Sequence, residues 1–383
     1  MNPLASKLPS VGTTIFTIMS RLAQEHGAIN LGQGFPDFDP PSFLREALAR
    51  HVEAGRNQYA PMAGLPRLRE AIAQMIAERD GIALDPESEI TVTSGGSEAL
   101  ADAILALVHR GDRVILFDPA YDLYDPMIRL AGGEPVHIPL EAPRFLPDWE
   151  RVAEEIDGRT RGILINTPHN PCGSVFGAKD LEALAALAER HGLWVISDEV
   201  YEHIVFDAHR HRSVLSHPLL RDRSVAVSSF GKTYHCTGWK LGYAVAAAPL
   251  SAELRKVHQY NTFCSFTPAQ EAVADMLTAH PEHHRELGGF YQRLRDRFVA
   301  LLRTTRLEPL PVAGSYFVLA DYSAVAEEED RRFCEQLVRE HGVAAVPLSP
   351  FYQDPPPELR LIRLCFAKNP ETLMAAAERL ATL

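Results

Sequence analysis

The chain has 383 residues, 46% of them hydrophobic and 23% charged, enough to bury a large core and to fill about two domains. Its formal net charge of −12 argues against a sequence-independent hold on nucleic acid or on an anionic membrane surface, because an acidic surface repels both. The opening stretch "MNPLASKLPSVGTTIFTIMSRL" has neither a basic stretch leading into an apolar core nor an apolar run of about 18 residues, so the expected compartment is the cytoplasm, with no membrane span.

In chain order, the segment "AINLGQGFPDFDPP" is too rich in glycine and proline to form a sheet of its own and is expected to cross over to a smaller C-terminal unit. From about Glu89 to Ala248, short apolar runs ("EITVT", "RVILF", "GILIN", "LWVIS", "SVAVS") alternate with helical stretches such as "EALADAILALVHRG". Continuous apolar strands separated by helices predict an α/β domain with a mostly parallel sheet covered on both faces. Near Pro281 the pattern changes to one long helix carrying Leu287, Phe290, Leu294, Phe298, Leu301 and Leu302 at helical spacing. After it come "SYFVLADY", a helix around Phe333 to His341, and "LRLIRLCFA", the outline of a separate α+β unit.

The phrases "QEHGAI", "ERHGLWVI" and "REHGVAAV" place His26, His191 and His341 in last helical turns before a helix-ending glycine, which is a capping pattern and not a ligand set. No His-Glu-x-x-His occurs, and the five cysteines, Cys172, Cys236, Cys264, Cys334 and Cys365, form no Cys-x-x-Cys pair. Neither a metal site nor a disulfide framework is expected.

In an open α/β sheet, ligands bind beyond the carboxyl ends of the strands. The residues that follow the apolar runs are Ser94-Gly95-Gly96-Ser97, Asp118-Pro119-Ala120-Tyr121, Thr167-Pro168-His169-Asn170-Pro171, Asp198-Glu199-Val200-Tyr201 and Ser229-Phe230-Gly231-Lys232, all predicted to share one edge. The glycine turn that opens a helix suits an anion, since free N–H groups and the positive dipole end point outward there. Asp198 should be buried and in need of a cationic or hydrogen-bonding partner, and desolvation could make the Lys232 amine nucleophilic. A nucleophilic lysine, a buried acid, a phosphate cradle and the ring of Tyr121 are the parts that a pyridoxal phosphate site requires.

The segment "SSFGKTYHCTGWKLGY" resembles the lysine segment of the class I/II, fold-type-I pyridoxal-phosphate-dependent aminotransferases. The likeness extends through "NLGQGFPDFDPP", "QYAPMAGLPRLREAIA", "TVTSGGSEAL", "NTPHNPCG", "ISDEVYEHIVFD", "GSYFVLADYS" and "LIRLCFAK", and is greatest to the branch of methionine aminotransferases and kynurenine aminotransferase/glutamine transaminases. It implies a large domain at 45–285 with a seven-stranded sheet, and a small domain formed by both chain ends, 1–44 and 286–383.

The resemblance also implies that Lys232 carries pyridoxal 5'-phosphate as an internal aldimine and shuttles the proton between the substrate Cα and the cofactor C4′. Asp198 would pair with the ring nitrogen, Tyr201 and Asn170 would meet the phenolate oxygen, and Tyr121 would stack on the ring. Gly96, Ser97, Ser229 and Lys240 would hold the phosphate, joined by Tyr59 from the other subunit of a homodimer with shared active sites. Arg363, helped by Asn170 and Gly34, would clamp the substrate carboxylate, with Phe16 and Ile18 lining the pocket.

The family often has an arginine where Lys240 stands, so the charge is kept but the fork is lost. The implied reaction moves an amino group from methionine, an aromatic amino acid (kynurenine included) or glutamine to a 2-oxo acid by a ping-pong route. A cysteine-S-conjugate β-lyase using the same lysine and arginine is the alternative. The segment Val257–Pro268, expected near the substrate, has no lysine or arginine and offers Tyr260, Phe263 and Phe266, which favours apolar and aromatic donors over aspartate.

Overall fold

The computed structural model describes residues 5–383, so residues 1–4, which belong to the stretch assigned to the small domain, lie outside the described residues. A seven-stranded sheet runs in the spatial order Ile90–Thr93, Gly242–Ala246, Ser224–Ser229, Trp194–Asp198, Thr160–Asn166, Arg113–Asp118 and Glu134–Pro139. Only Gly242–Ala246 is antiparallel to its neighbours. The chain returns to it from Ser229 through a single helical turn, Phe230–Thr233, and a 3-10 turn, Thr237–Trp239, and not through a crossover helix.

Burial on both faces explains why these strands read as unbroken apolar runs. Val114, Leu116, Leu164, Ile196, Val225 and Val227 pack on one face with Ala99, Leu100, Ala103 and Ile104 of the helix Gly96–Leu107. Their neighbours Ile115, Phe117, Ile163, Ile165, Val195 and Ala226 face the other way, into a core shared with the helices Pro66–Asp80, Ala178–His191 and Thr267–Ala279.

A second, antiparallel sheet has the order Val346–Pro347, Leu361–Cys365, Phe317–Asp321 and Glu308–Pro309. The helices Glu282–Leu302, Asp330–His341 and Pro370–Leu380 pack on it. The N-terminal segment joins this unit: Met19, Leu22 and Ala23 of the helix Ile15–His26 enter its core, and Ile29–Asn30 pairs in parallel with Val343–Ala344. Residues 45 and 285 lie within the first turns of the helices Ser42–Glu53 and Glu282–Leu302. Leu44 packs into the core around the large sheet and Leu287 into the core of the smaller unit.

His26, His191 and His341 each close a helix and precede Gly27, Gly192 and Gly342, all left-handed (φ 59°, 65° and 64°). All five cysteines are free thiols, four of them buried and Cys264 half-buried. Among the described residues, no helix is long and apolar enough to cross a membrane.

Candidate active site

A cavity of about 250 Å³ opens at the carboxyl ends of the parallel strands. All five strand-end turns reach it, through Gly95, Gly96 and Ser97, through Tyr121, through Asn170, through Asp198 and Tyr201, and through Ser229 and Lys232. Lys240 and Thr237 close one end, while Phe16, Gly34, Phe317 and Arg363 arrive from the N-terminal segment and the second sheet.

Lys232 sits in the single turn that follows its strand, where burial lowers its amine to a pKa of about 8. Its Nζ donates to the Tyr316 hydroxyl at 3.0 Å and to the Gly34 carbonyl at 3.4 Å. Asp198 ends the neighbouring strand, and burial pushes its carboxyl up to about 6, against the opposing pull of the Tyr124 hydroxyl (2.6 Å) and the Val200 N–H (3.2 Å). Neither of those two donors is charged, so this carboxylate still needs a cation. Tyr201 is buried, 5.1 Å edge-on to Tyr316 and with Lys232 Nζ 5.7 Å from its ring centre; Tyr121 lies edge-on to Tyr124 at 5.7 Å.

The helix Gly96–Leu107 begins at the cavity, and an α-helix leaves its first N–H groups, here those of Gly96 and Ser97, without intrahelical acceptors. Gly95 makes this possible with φ 86°, and a Cβ there would stand 3.4 Å from Lys240 Cε and Nζ. Lys240, itself left-handed at φ 52°, thus brings its ammonium beside the free N–H groups, with Ser229 close by. The result is an anion cradle.

Arg363 is 1% exposed on the strand Leu361–Cys365. Its Nη1 donates to Asn170 Oδ1 (2.9 Å) and its Nη2 to the Gly32 carbonyl (2.7 Å), while Nε is buried with no partner. Phe317 faces the guanidinium at 4.0 Å, and Phe16 and Phe351 lie at 5.0 and 5.4 Å. A fully buried cation whose two Nη atoms each keep a further N–H, in an aromatic setting, is suited to a carboxylate. Because Asn170 Oδ1 is engaged, its amide N–H₂ is left for the cavity.

Ile18 and Tyr59 are not among the residues lining this chain's cavity. Ile18 is two positions on from Phe16 along one helix, about 200° around its axis, and so faces away. Tyr59 is 82% exposed, packed edge-on to Phe263 at 5.4 Å. Tyr260, Phe263 and Phe266 also line the outer surface and not the cavity, since the helix Ala248–Asn261 and the turn after it run outside the sheet. Sequence reasoning missed Tyr124, Tyr316 and the Gly32 carbonyl, although Tyr124 lies three positions beyond Tyr121 and Tyr316 lies in the recognised "GSYFVLADYS".

Two ligand-type clusters, Glu98–Asp102–His258 and Glu199–Glu202–His211, bring their atoms within 4.8 Å of one another. Internal hydrogen bonds engage most of their atoms, while Asp102 Oδ2 and His211 Nδ1 are buried without a partner among the described residues. His258 Nδ1 donates to Glu98 (2.7 Å) and Nε2 to the Met62 carbonyl (2.9 Å). His211 meets Glu199 at 2.9 Å, and Glu202 accepts from Arg79, Ser228 and Tyr243.

The family model for aminotransferase class I and II matches residues 26–380. The chain belongs to the class I and II aminotransferases. It is 58% identical to the methionine aminotransferase of Escherichia coli (strain K12), across 100% of this chain and 99% of that protein. It is 36% identical to human kynurenine–oxoglutarate transaminase 1, across 98% and 97%. The crystal structure of an Escherichia coli methionine aminotransferase superposes with a TM-score of 0.97 at 58% identity, all of both chains being covered. A Thermus thermophilus aspartate aminotransferase with maleate superposes at 0.90 and 33% identity, again over both whole chains. The aminotransferase therefore has the fold-type-I architecture and uses pyridoxal 5'-phosphate. Its own residues fit that cofactor: the anion cradle suits the phosphate, the uncompensated Asp198 suits a cationic ring nitrogen, and the desolvated Lys232 suits an aldehyde carbon.

Proposed function

We propose that this aminotransferase moves the amino group of methionine, an aromatic amino acid such as kynurenine, or glutamine to a 2-oxo acid by a ping-pong route. The observation that carries this reading is the distribution of charge around the cavity. Its lining cations are Lys232, Lys240 and Arg363; Lys240 stands at the anion cradle and Arg363 among phenylalanines, which leaves none to pair a distal side-chain carboxylate. The substrates of the Escherichia coli and human relatives agree with this choice.

When bound, pyridoxal 5'-phosphate supplies the electron sink that acidifies the substrate Cα–H. Lys232 would hold the cofactor and would carry the proton from the substrate Cα on its Nζ. Asp198 would keep the ring nitrogen protonated, and Tyr201 and the Asn170 amide would meet the ring oxygen. Tyr121 would lie against the ring, and Gly96, Ser97, Ser229 and Lys240 would hold the phosphate. Arg363 would clamp the substrate carboxylate by a bidentate pair, with Asn170 and the Gly34 backbone assisting, and Phe16 would wall the side chain.

We further assign the large domain to 45–285 and the small domain to 1–44 with 286–383, place the protein in the cytoplasm, and assign a homodimer in which Tyr59 reaches the partner's phosphate. The exposed aromatic cluster of Tyr59, Tyr260, Phe263 and Phe266 supports a second copy as the partner. The deciding experiment compares kcat/KM for methionine, phenylalanine, kynurenine, glutamine and aspartate with one common 2-oxo acid. Apolar discrimination of about 1–3 kcal/mol per methylene predicts several good donors, with aspartate last. Aspartate in first place would overturn the assignment.

A further inference from the structure

The free Lys232 amine rests in a defined place. Its Nζ is 3.0 Å from the Tyr316 hydroxyl and 3.4 Å from the Gly34 carbonyl, and that hydroxyl itself donates to the Gly34 carbonyl at 2.6 Å. A phenol has a single O–H proton, and here it is committed to an oxygen that can only accept. Toward Lys232, Tyr316 therefore presents lone pairs. A neutral amine in this position donates one N–H to Tyr316 and the other to Gly34, and its own lone pair is left for the cavity that Lys232 lines.

Both acceptors are held firmly. Tyr316 is fully buried, with the rings of Phe317, Tyr201 and Tyr291 at 4.9, 5.1 and 5.7 Å. Gly34 presses so closely on Phe317 that a Cβ there would come within 2.7 Å of the ring Cζ.

We propose that Tyr316 is a positioning residue for proton transfer, holding the Lys232 amine so that its lone pair faces the substrate Cα. The Cα–H bond breaks, its proton forms a third N–H on Lys232 Nζ, and the electron pair stays with the substrate carbon. The resulting ammonium keeps its two N–H bonds to Tyr316 and Gly34 and holds the transferred proton toward the substrate for the return step. This rests on the reading of Lys232 as the proton carrier.

Tyr316→Phe removes the oxygen and keeps the buried ring. In the holoenzyme given an amino acid and no 2-oxo acid, exchange of the Cα hydrogen for solvent deuterium, followed by NMR, should slow about 10- to 100-fold, as expected for losing a hydrogen bond to a group that becomes charged, with KM little changed. In the cofactor-free protein, competitive acylation of Lys232 across a pH series should show a lower amine pKa, because the lost acceptor favoured the charged form. Tyr291→Phe, which removes a neighbouring hydroxyl bonded to His235 at 3.1 Å, should leave both readouts unchanged. Exchange within twofold of the parent together with an unshifted acylation profile, or an equal loss in Tyr291→Phe, would overturn the proposal. Lys232→Ala separates it from the reading on which it rests: exchange surviving in that variant overturns the role of Lys232 itself.

Discussion

Asp198 is a carboxylate whose charge the protein does not fully support until a cation arrives. Tyr124 supplies its one side-chain hydrogen bond, at 2.6 Å in a buried setting. Tyr124→Phe should raise the Asp198 pKa further above about 6, because the lost donor favoured the ionised form. In the cofactor-free protein the carboxyl titration of Asp198, followed by 13C NMR, should then move to higher pH. An unmoved titration would show that Tyr124 does not support the Asp198 charge. At this scale, the lysine and aspartate were legible because their segments follow apolar strands, and the arginine because its segment "LIRLCFAK" resembles the family's. Tyr124 and Tyr316 were not, because a tyrosine reads the same in a core as in a site, and only the fold brings Tyr124 across 74 positions to Asp198.

The helix Gly96–Leu107 does more than offer its N-terminus to an anion. Its Glu98 accepts from the Ser94 N–H at the cradle and from His258 Nδ1, and Asp102 Oδ2 lies 3.4 Å from the same nitrogen. His258, unexposed on the helix Ala248–Asn261, donates from both ring nitrogens, to Glu98 and to the Met62 carbonyl, and is therefore an imidazolium. Despite the opposing cost of burial, the two carboxylates raise its pKa to about 9. Because the folded value lies above the unfolded 6.5, its stabilisation is complete below about pH 6.5 and is lost as pH rises through about 9. Replacing His258 by Gln should cost about 3–5 kcal/mol near pH 6, since two buried carboxylates lose their cation. Urea unfolding at pH 6 and pH 10 should show the gap to the parent closing at the higher pH; a gap that stays constant would contradict the ion cluster. Helices and strands were legible as elements because both sheet faces are buried. The direction of Gly242–Ala246 was not, since a doubly buried strand looks alike either way and only the short return from Ser229 decides it.

At the scale of the molecule, the surface around Tyr59 carries the proposal of a shared site. If Tyr59 serves the partner's phosphate, mixing Tyr59→Phe protein with Lys232→Ala protein under subunit exchange places both defects in one site of the mixed dimer and frees the other. Activity should exceed that of the Lys232→Ala protein exchanged with itself and the residual activity of the unexchanged mixture; a fully active monomer in sedimentation would rule the arrangement out. The outward course of Val257–Pro268 shows why sequence could not place Tyr260, Phe263 and Phe266, since an aromatic run is equally apt for a pocket wall and for a surface that a second chain covers.

The N-terminal crossing segment is stitched to the second sheet. The Cys365 N–H donates to the Leu31 carbonyl at 2.7 Å, and Arg363 donates to Gly32 at the same distance. Lys232 and Asp198, by contrast, are anchored at the ends of the seven-stranded sheet. The two grips on an amino acid, one for its carboxylate and one for its nitrogen, thus come from different sheets, which Arg363–Asn170 and Lys232–Tyr316 already bridge, and a bound substrate would add a further link between them. Slowed hydrogen–deuterium exchange at residues 31–34 and 361–365 should accompany binding of an α-amino acid to the holoenzyme and should be absent with the corresponding amine, which has no carboxylate to bridge the gap. Selectivity for α-amino acids over simple amines is then expected to draw on this added link as well as on charge, because only a molecule held at both ends joins the carboxylate grip to the amine grip.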